Sequence, residues 1–261
     1  NVKTTISPTT AELANLQFFD EQTGEKLAKI DKLKFDLTLI NIWGLRSARE
    51  LNINSTDVEG LEVWVKFDQT GNSNFSNLKF KVEEDTNLKV SLASMNFNLK
   101  DAIVHYGDEM RKISGTARSI KILVEPENLQ SADDKERRYK FDLSSEKSIF
   151  VYNEKPIEPI SVYAKGIADK NGAEINSLTI KTPIGESFLS GTITDWKLPK
   201  YDLKITSTID LQQTATLLPS GTALRGFGNF EGTVTGEGEK YSINGEVTSE
   251  SLAASNIILK G

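Results

Sequence analysis

Few residues of this chain have the types and spacing that catalysis or metal binding requires. Its 261 residues include no Cys and a single His. The absence of Cys excludes disulfides, thiolate metal sites and cysteine nucleophiles. His105 cannot form a two-histidine metal site, and its neighbours Val104 and Tyr106 are typical of a strand. A structural or solvent-facing role is therefore favoured over catalysis, and the sequence predicts no catalytic residue and no metal site.

Motifs for nucleotide binding and hydrolysis are also missing. The sequence has no Gly-x-Ser-x-Gly elbow and no Walker A loop. Glycines cluster between Gly226 and Gly238, but bulges or tight strand crossings explain them better than a dinucleotide site, which needs a following helix. Two carboxylates would suffice for a glycoside hydrolase, yet Glu83–Asp85 and Asp133–Asp134 are most simply solvated turns. We expect a protein that is not an enzyme and has no cofactor.

Tryptophan is the remaining residue type that could form a binding surface. The three tryptophans are Trp43, Trp64 and Trp196. They could form a sugar-binding platform or anchor a sheet to a membrane surface. For Trp64, burial is the favoured interpretation. It is out of phase with Val63 and Val65, so it faces the other side of the sheet, where the segment Thr9–Phe19 would cover it.

Charge and hydropathy exclude two classes of partner. The net charge of −6 is spread over mixed Lys, Asp and Glu, so there is no basic stripe for a phosphate backbone and nucleic acid is not an expected partner. No apolar run approaches the roughly 20 residues that span a bilayer, and no signal-peptide pattern is present. We expect a soluble chain, or the soluble part of an anchored protein.

Alternation of apolar and polar residues is the dominant pattern, and it predicts strands with one apolar face. Turn residues at Asp68–Asn72 and Asp169–Gly172 predict hairpins, and spacings of about ten residues predict antiparallel pairing. The expected fold is mainly β: an elongated, curved antiparallel sheet, groove-like or taco-like, with one or two short helices. The alternating sets are Leu33–Leu39, Leu61–Phe67, Leu78–Val82, Leu88–Leu92, Met95–Leu99, Ile120–Val124, Tyr139–Leu143 and Tyr201–Ile209.

Three segments are candidate helices: Thr9–Phe19, Ser47–Leu51 and Asp210–Leu218, the last ended by Pro219. Candidate long loops or boundaries are Ser131–Arg138 and Pro156–Pro159. We therefore expect an N-terminal β region over residues 1–153 and a C-terminal β-repeat region over 154–261, continuous with the first.

The C-terminal half contains a weak internal repeat. Gly191-Thr-Ile-Thr followed by Tyr201-Asp-Leu-Lys is matched by Gly232-Thr-Val-Thr followed by Tyr241-Ser-Ile-Asn. Each unit predicts strand, turn, strand. A true repeat and the general likeness of antiparallel hairpins explain this equally well. Stacked units would make a long sheet whose apolar face must be covered by a lid, a second sheet or a ligand.

Seven segments of the sequence are similar to segments of one protein family. Four in the N-terminal half combine strands, an Asp/Gly turn with Asn-Phe, and a strand ending in Tyr: Ile30–Ile40, Arg49–Val65, Asp68–Phe75 and Phe97–Asp108. Three in the C-terminal half carry later β repeats: Leu189–Trp196, Leu217–Pro219 and Gly226–Gly245. Together they resemble the AsmA-like and TamB-related proteins of the bacterial envelope.

The resemblance implies a periplasmic protein anchored to the inner membrane, with the anchor outside this chain because the family's usual N-terminal transmembrane segment is missing from it. It also implies a β groove that carries phospholipid acyl chains between the inner and outer membranes and serves outer-membrane biogenesis. A strand of seven residues is about 23 Å long, comparable to an extended acyl chain.

We therefore expect an apolar groove with phospholipid acyl chains as partners. Its predicted lining residues are Phe35, Leu37, Leu39, Val63, Val65, Val90, Leu92, Phe97, Leu203 and Ile205. The alternative is an adhesin-like or carbohydrate-binding β-sandwich, which requires two sheets packed about 10 Å apart. A hydrolase with acidic residues on strands ranks last.

Overall fold

The computed structural model describes residues 3–7, 9–21, 23–40, 49–76, 88–91, 95–127, 137–152, 154–217, 223–238, 240–249 and 253–255. Strands account for almost all of these residues. The strands are β1 Lys3–Ile6, β2 Thr10–Phe19, β3 Lys26–Ile40, β4 Arg49–Phe67, β5 Leu88–Ser91, β6 Asn96–Asp108, β7 Ile113–Pro126, β8 Tyr139–Tyr152, β9 Lys155–Ala168, β10 Gly172–Thr182, β11 Gly185–Thr194, β12 Lys200–Asp210, β13 Ala223–Arg225, β14 Phe227–Glu237, β15 Lys240–Thr248 and β16 Ala253–Ser255, and the helix is α1 Leu211–Leu217.

One 14-stranded sheet contains all the strands except β13 and β16, which pair with each other. Its order is β1-β2-β3-β4-β6-β7-β8-β9-β10-β11-β12-β14-β15, with β5 beside β4. Extensive contacts join each strand only to its sheet neighbours, so the described part of the sheet is one layer thick. The predicted mainly β fold, a long, open, curved antiparallel sheet with a short helix, is confirmed.

The pairing departs from the predicted hairpins at one place, because β4 runs parallel to β5 and β6. The turn at Asp68 forms as expected, with the Asp68 carboxylate accepting from the Thr70 amide at 2.8 Å and the Asn72 amide at 2.9 Å. Among the described residues the turn is followed only by an isolated antiparallel bridge between Phe67 and Ser73, and the predicted strand Leu78–Val82 lies outside the described ranges. At the other predicted landmark, near residue 153, β8 and β9 pair from Tyr139 to Tyr152, so the sheet continues through that position.

The strand registers place apolar residues in rows that cross the whole sheet on one face, which we call the apolar face. Residues that are directly paired lie on the same face of a sheet, so each row can be followed from strand to strand. Row one is Leu13, Leu33, Val58, Leu99, Ile122, Leu143, Ala164, Leu178, Leu189, Ile205, Gly232 and Gly245. Row two is Ala11, Phe35, Thr56, Phe97, Val124, Phe141, Gly166, Ile175, Gly191, Leu203, Val234 and Ile243.

A line of backbone irregularities crosses six neighbouring strands, from β2 to β8. In five of them one residue inside the strand has a left-handed φ, between 48° and 65°. Such a residue interrupts the alternation of side chains between the two faces and bends the strand. Residues three apart in sequence, such as Val58 and Leu61, therefore pack on the same face. We call this line the crease. Its residues are Asn15, Asp31, Gly60, Asp101, Ser119 and Lys147.

At the crease, the opposed pair Gly60 and Asp31 fits only because Gly60 has no side chain. A Cβ at Gly60 would lie 2.8 Å from the Asp31 Cβ, and Gly60 has a φ of +65°. Glycine is the residue that adopts this conformation without steric strain. The carboxylate of Asp31 also pairs with Lys29 at 2.7 Å, and this hydrogen bond and charge together raise the pKa of Lys29.

Apart from Leu27, which is 1% exposed, the buried apolar side chains of the described residues flank the crease. Val58 is 7% exposed, Leu99 5%, Ala102 1% and Ile120 9%, and they form one cluster. In a sheet one layer thick, a side chain can be buried only by neighbours on its own face. Burial of this cluster therefore marks the inside of the bend.

Two buried serines replace the missing ladder where the crease passes between β7 and β8. No residues pair between Thr116 and Lys121. Instead the Arg118 amide donates to Ser148 Oγ at 3.0 Å, and Ser145 Oγ donates to the Arg118 carbonyl at 3.0 Å. The two hydroxyls lie 2.8 Å apart. Buried backbone polar groups need such partners, so the serines stabilise the bend.

Two local predictions were wrong for reasons that involve the crease. The predicted helix at Thr9–Phe19 is strand β2. Leu13 and Leu16 have helix-like spacing because Asn15, with a φ of 59°, shifts the phase of the strand between them. The predicted loop at Pro156–Pro159 lies inside β9, where the ladder to β8 is irregular. Pro159 has no partner there, so its missing N–H costs no ladder bond.

The predicted helix at Asp210–Leu218 is confirmed as α1. Asp210 Oδ1 accepts from the amides of Gln212 at 2.9 Å and Gln213 at 3.0 Å, which caps the first turn.

Of the third candidate helix, residues 49–51 belong to β4, and residues 47–48 lie outside the described ranges, as do residues 131–136 of the predicted loop. Within the ranges given above, no helix has the length and hydropathy needed to cross a bilayer.

Replacing the crease serines tests this account of the bend. We expect Ser145→Ala and Ser148→Ala each to lower the free energy of unfolding by about 1–3 kcal/mol, because each removes a hydrogen bond between a buried serine and the Arg118 backbone. Ser177→Ala, at an exposed position of β10, is the matched control and should change stability by less than about 0.5 kcal/mol. Urea unfolding measures both. Equal stabilities for all three variants would contradict the role of the serines.

Candidate functional site

The candidate site is the apolar face, which carries every predicted groove residue whose side chain is described. Phe35, Phe97 and Leu203 belong to row two, and Ile205 belongs to row one. Three more predicted groove residues lie on the same face. Their partners in the strand register are Ile53 for Leu37, Val104 for Val63 and Tyr106 for Val65.

The remaining three predicted groove residues cannot be placed on a face by their side chains. The backbones of Leu39 and Val90 lie in β3 and β5, where both strands pair with Leu51. Their side chains lie outside the described part of the chain, as does the whole of Leu92.

The predicted lining residues do not form one compact pocket. Phe97 on β6 and Leu203 on β12 are six strands apart in the sheet, which corresponds to about 29 Å at the usual strand spacing. They line a strip that runs across the strands. Any elongated apolar ligand on this face would therefore lie roughly perpendicular to the strands.

The two halves of the apolar face differ in how far its own side chains fill it. In the N-terminal half the crease folds the face onto itself, and the cluster of Val58 and its neighbours is buried there. In the C-terminal half no non-glycine residue inside the described strands β9–β15 has a left-handed φ. The apolar residues of these strands are half-buried or, as for Ile243 at 56%, exposed. No second sheet packs on them within the described residues, which leaves space above this half of the face.

Two phenylalanine rings mark the limits of this open region. The ring of Phe141 on β8 lies over Gly166, where a Cβ would come within 2.7 Å of it. The ring of Phe230 on β14 lies over Gly232 in the same way, at 2.7 Å. Since β8 and β14 are five strand spacings apart, the rings bound a region about 24 Å wide.

Between the rings lies a set of residues that we call the aliphatic strip. They are aliphatic or glycine, and they lie on four adjacent strands, β9 to β12. The members are Ala164, Ile175, Leu178, Leu189, Gly191, Leu203 and Ile205. Gly191 has no side chain, and a Cβ there would meet backbone atoms of β12 first. The surface of the strip at Gly191 is therefore formed by backbone.

Sequence reasoning found Leu203 and Ile205 but missed the rest of the strip. In β10 the register slips between Ile175 and Leu178, so the apolar residues change phase and no unbroken alternation is visible. In β11 the adjacent pair Phe188 and Leu189 hides the pattern, because Phe188 faces outward and is 51% exposed. Alternation in Gly185–Thr194 becomes visible only when it is known that Leu189, and not Phe188, lies on the apolar face.

The opposite face is polar and carries ion pairs between neighbouring strands. Lys165 pairs with Asp142 at 2.8 Å, and Lys181 pairs with Glu186 at 2.8 Å. The bond to Glu186, followed by its charge, raises the pKa of Lys181. The sheet is thus amphipathic as a whole.

Trp64 lies on this polar face, as its phase predicts. Its ring stacks on His105 with centroids 5.4 Å apart and planes 12° from parallel, and the Lys26 ammonium lies 5.6 Å from the ring centre. The predicted cover by Thr9–Phe19 is therefore wrong, because β2 pairs with β3 instead. His105 also contacts Glu62 at 2.9 Å and Thr116 at 3.3 Å. These contacts give His105 a structural role and leave no open Trp64 ring for a sugar.

A cavity of about 740 Å³ at the ends of β4, β6, β7 and β8 contains the buried carboxyl group of Asp108. Asp108 is 4% exposed. It accepts hydrogen bonds from the Arg111 amide at 2.8 Å, Arg111 Nη1 at 3.2 Å and the Tyr106 hydroxyl at 3.3 Å. The bond from the Arg111 amide is the main cause that lowers the pKa of Asp108. An ionised, fully bonded carboxylate fixes the hairpin and is not placed to donate a proton.

Other acidic groups do not assemble into a site in the described residues. No group of three or more His, Asp or Glu side chains there could hold a metal ion. The acidic runs Glu83–Asp85 and Asp133–Asp134 lie outside these residues.

Known proteins provide no identification. No protein-family model matches the chain, and no curated protein is significantly similar to it.

The pH dependence of stability tests the role of Asp108. Because its folded pKa is lowered, its stabilisation is complete above the usual aspartate pKa of about 3.9 and is lost as the pH falls through the lower folded value. We expect Asp108→Asn to be less stable at neutral pH and to lose less stability on acidification. Asp68 has a pKa lowered in the same direction, so some acid dependence should remain. Thermal unfolding at several pH values measures this, and parallel curves would contradict it.

Proposed function

We propose that this chain is a non-enzymatic protein of the bacterial envelope that shelters lipid acyl chains on its apolar face. In this proposal it serves phospholipid transport between the inner and outer membranes and outer-membrane biogenesis, as a periplasmic part of a protein anchored to the inner membrane. The observation that carries the proposal is the aliphatic strip, an apolar surface on which no second sheet packs in the described part of the chain.

The width of the region between the Phe141 and Phe230 rings suits an acyl chain. The distance between the Phe141 and Phe230 strands, about 24 Å, is comparable to the length of an extended acyl chain. Each methylene removed from water contributes about 0.8 kcal/mol, so a chain lying along the rows would gain affinity over its length. The polar opposite face would keep the loaded protein soluble.

The lack of polar groups in the strip also bears on ligand class. Sugars and nucleotides need several converging hydrogen-bond donors and acceptors. The strip residues Leu178, Leu189 and Ile205 provide none through their side chains. An apolar ligand whose polar part remains in water is the chemistry that this surface fits.

The carbohydrate-binding alternative has one supporting observation. Phe188, on the outer face, is 51% exposed and lies between Thr179 and Thr206 in the sheet, in a shallow cavity of about 580 Å³. The described strands form one main sheet, however, and not the two packed sheets of a sandwich. We therefore favour lipid handling.

Adjacent residues of β14 provide a matched test. Val234 lies on the apolar face between Leu203 and Ile243, whereas Thr233 lies on the polar face between Lys204 and Asn244. We expect wild-type protein and Thr233→Asp to retain co-purified lipid, and Val234→Asp to lose most of it, because an acyl chain would bury an unpaired carboxylate there. Native mass spectrometry and lipid extraction measure the retained lipid.

The two variants add the same charge, so a general effect of charge would appear in both. Their melting temperatures show whether both are folded. Folded wild-type protein that retains no lipid after exposure to phospholipid would contradict the proposed function, as would equal retention by the two variants.

A further inference from the structure

Three turns meet at one end of strands β9 to β15 and form a small apolar projection. They connect β9 to β10, β11 to β12, and β14 to β15. We call this projection the Trp196 tip and define it as Asp169–Asn171, Asp195–Pro199 and Gly238.

Hydrogen bonds between the turns fix the tip. The Trp196 Nε1 donates to the Asp169 carbonyl at 2.9 Å. The Asp195 amide donates to the Asn171 carbonyl at 2.6 Å, and the Gly238 amide donates to the Pro199 carbonyl at 2.8 Å. Each turn is thus held by its neighbour, and the tip needs little further ordering to bind.

The turn that carries Trp196 is also fixed internally. The Asp195 carboxylate accepts from the amides of Lys197 at 3.0 Å and Leu198 at 3.3 Å, and Asp195 itself has a φ of 60°. Gly238 lies against this turn: a Cβ there would be 3.0 Å from Leu198 Cδ1. The positions of Trp196 and Leu198 are therefore set by the backbone.

Both apolar side chains of the tip are nevertheless exposed. Trp196 is 51% and Leu198 is 49% exposed. The indole N–H already has a backbone partner, so the ring could leave water without losing a hydrogen bond. The Trp196 indole N–H bond holds two turns together, but the exposed halves of the Trp196 and Leu198 side chains have no packing role within the described fold.

Charges around the tip favour a lipid surface over an apolar protein groove. Exposed lysines 170, 197, 200 and 240 surround it. The Asp169 and Asp195 carboxylates bind amides of their own turns and keep their charge, and Glu237 pairs with Lys200 at 3.3 Å, so the lysines exceed these carboxylates by one charge. Trp at the headgroup level with Lys beside it is the arrangement by which proteins contact membrane interfaces.

We propose that the Trp196 tip is a membrane-contact site that inserts Trp196 and Leu198 into the headgroup region of a phospholipid bilayer. Its biological role rests on the proposed function, because a protein that takes up acyl chains must meet a bilayer. The tip lies at the strand ends that border the aliphatic strip, so contact there would bring one lip of the apolar face to the membrane.

Vesicle binding tests the site. The probes are sedimenting vesicles of phosphatidylcholine alone and of phosphatidylcholine mixed with phosphatidylglycerol. We expect wild-type protein to bind both, and more tightly when phosphatidylglycerol is present because each lysine near the surface adds attraction. Trp196→Ala and Leu198→Ser should each weaken binding about tenfold, as expected for losing a half-exposed large apolar side chain.

Phe188→Ser is the matched control, because Phe188 is as exposed as Trp196 but lies in the middle of the polar face. It should bind vesicles within about twofold of wild type. Absence of wild-type binding to either vesicle would overturn the proposal. So would unchanged binding by Trp196→Ala and Leu198→Ser, or an equal loss in Phe188→Ser.

Lipid retention separates this proposal from the function on which it rests. Native mass spectrometry on the same variants should show lipid retained by Trp196→Ala as by wild type. If lipid is retained but vesicle binding does not depend on Trp196, membrane contact by the Trp196 tip is refuted and lipid binding on the apolar face is not. Vesicle binding that depends on Trp196, with no lipid retained by any variant, would support the tip and refute the groove.

Discussion

A sheet one layer thick can hide its apolar side chains only behind one another or behind something bound to it. This constraint governs the whole molecule. Alternation along each strand places the apolar residues on one face, and the strand registers align them into rows that cross the sheet. The rows concentrate apolar surface on that face, and no second sheet covers it within the described residues.

The two halves of the sheet meet this constraint in different ways. In the N-terminal half the crease bends six strands together, and the side chains beside it bury one another. The bend interrupts ladder pairing, and the hydroxyls of Ser145 and Ser148 supply the missing partners. Left-handed conformations at Ser119 and Lys147 are unfavourable for residues with a side chain, so packing at the crease has to offset them. Within the described strands β9–β15 there is no such bend, and the aliphatic strip stays open; this difference is the basis for proposing an apolar ligand there.

Local patterns in the sequence predicted the class of fold and the orientation of individual residues. Period two in Leu33–Leu39 and Leu61–Phe67 placed strands correctly, and the phase of Trp64 placed it on the opposite face. What could not be predicted depends on contacts distant in sequence. The i, i+3 spacing of Leu13 and Leu16 suggested a helix because nothing local shows that Asn15 is left-handed within a strand.

The extent of the candidate site was hidden for a similar reason. Leu203 and Ile205 were visible as an alternating pair, but Leu178 joins them only through the β10 to β12 registers and a register slip. The parallel pairing of β4 with β6 has no local signature either, because the Asp68 turn resembles one that closes a hairpin. Sequence therefore predicts faces well and the alignment of faces between strands poorly.

Under the proposed function, one face of the C-terminal sheet contacts acyl chains and the other does not. Photo-crosslinking from a benzophenone side chain placed at each successive position of β12, from Asp202 to Thr206, in cells that synthesise the protein, measures that contact directly. We expect lipid adducts at alternate positions of β12. They should form at Leu203 and Ile205 and be absent at Asp202, Lys204 and Thr206. Adducts of equal yield at all five positions, or none at Leu203 and Ile205, would contradict it.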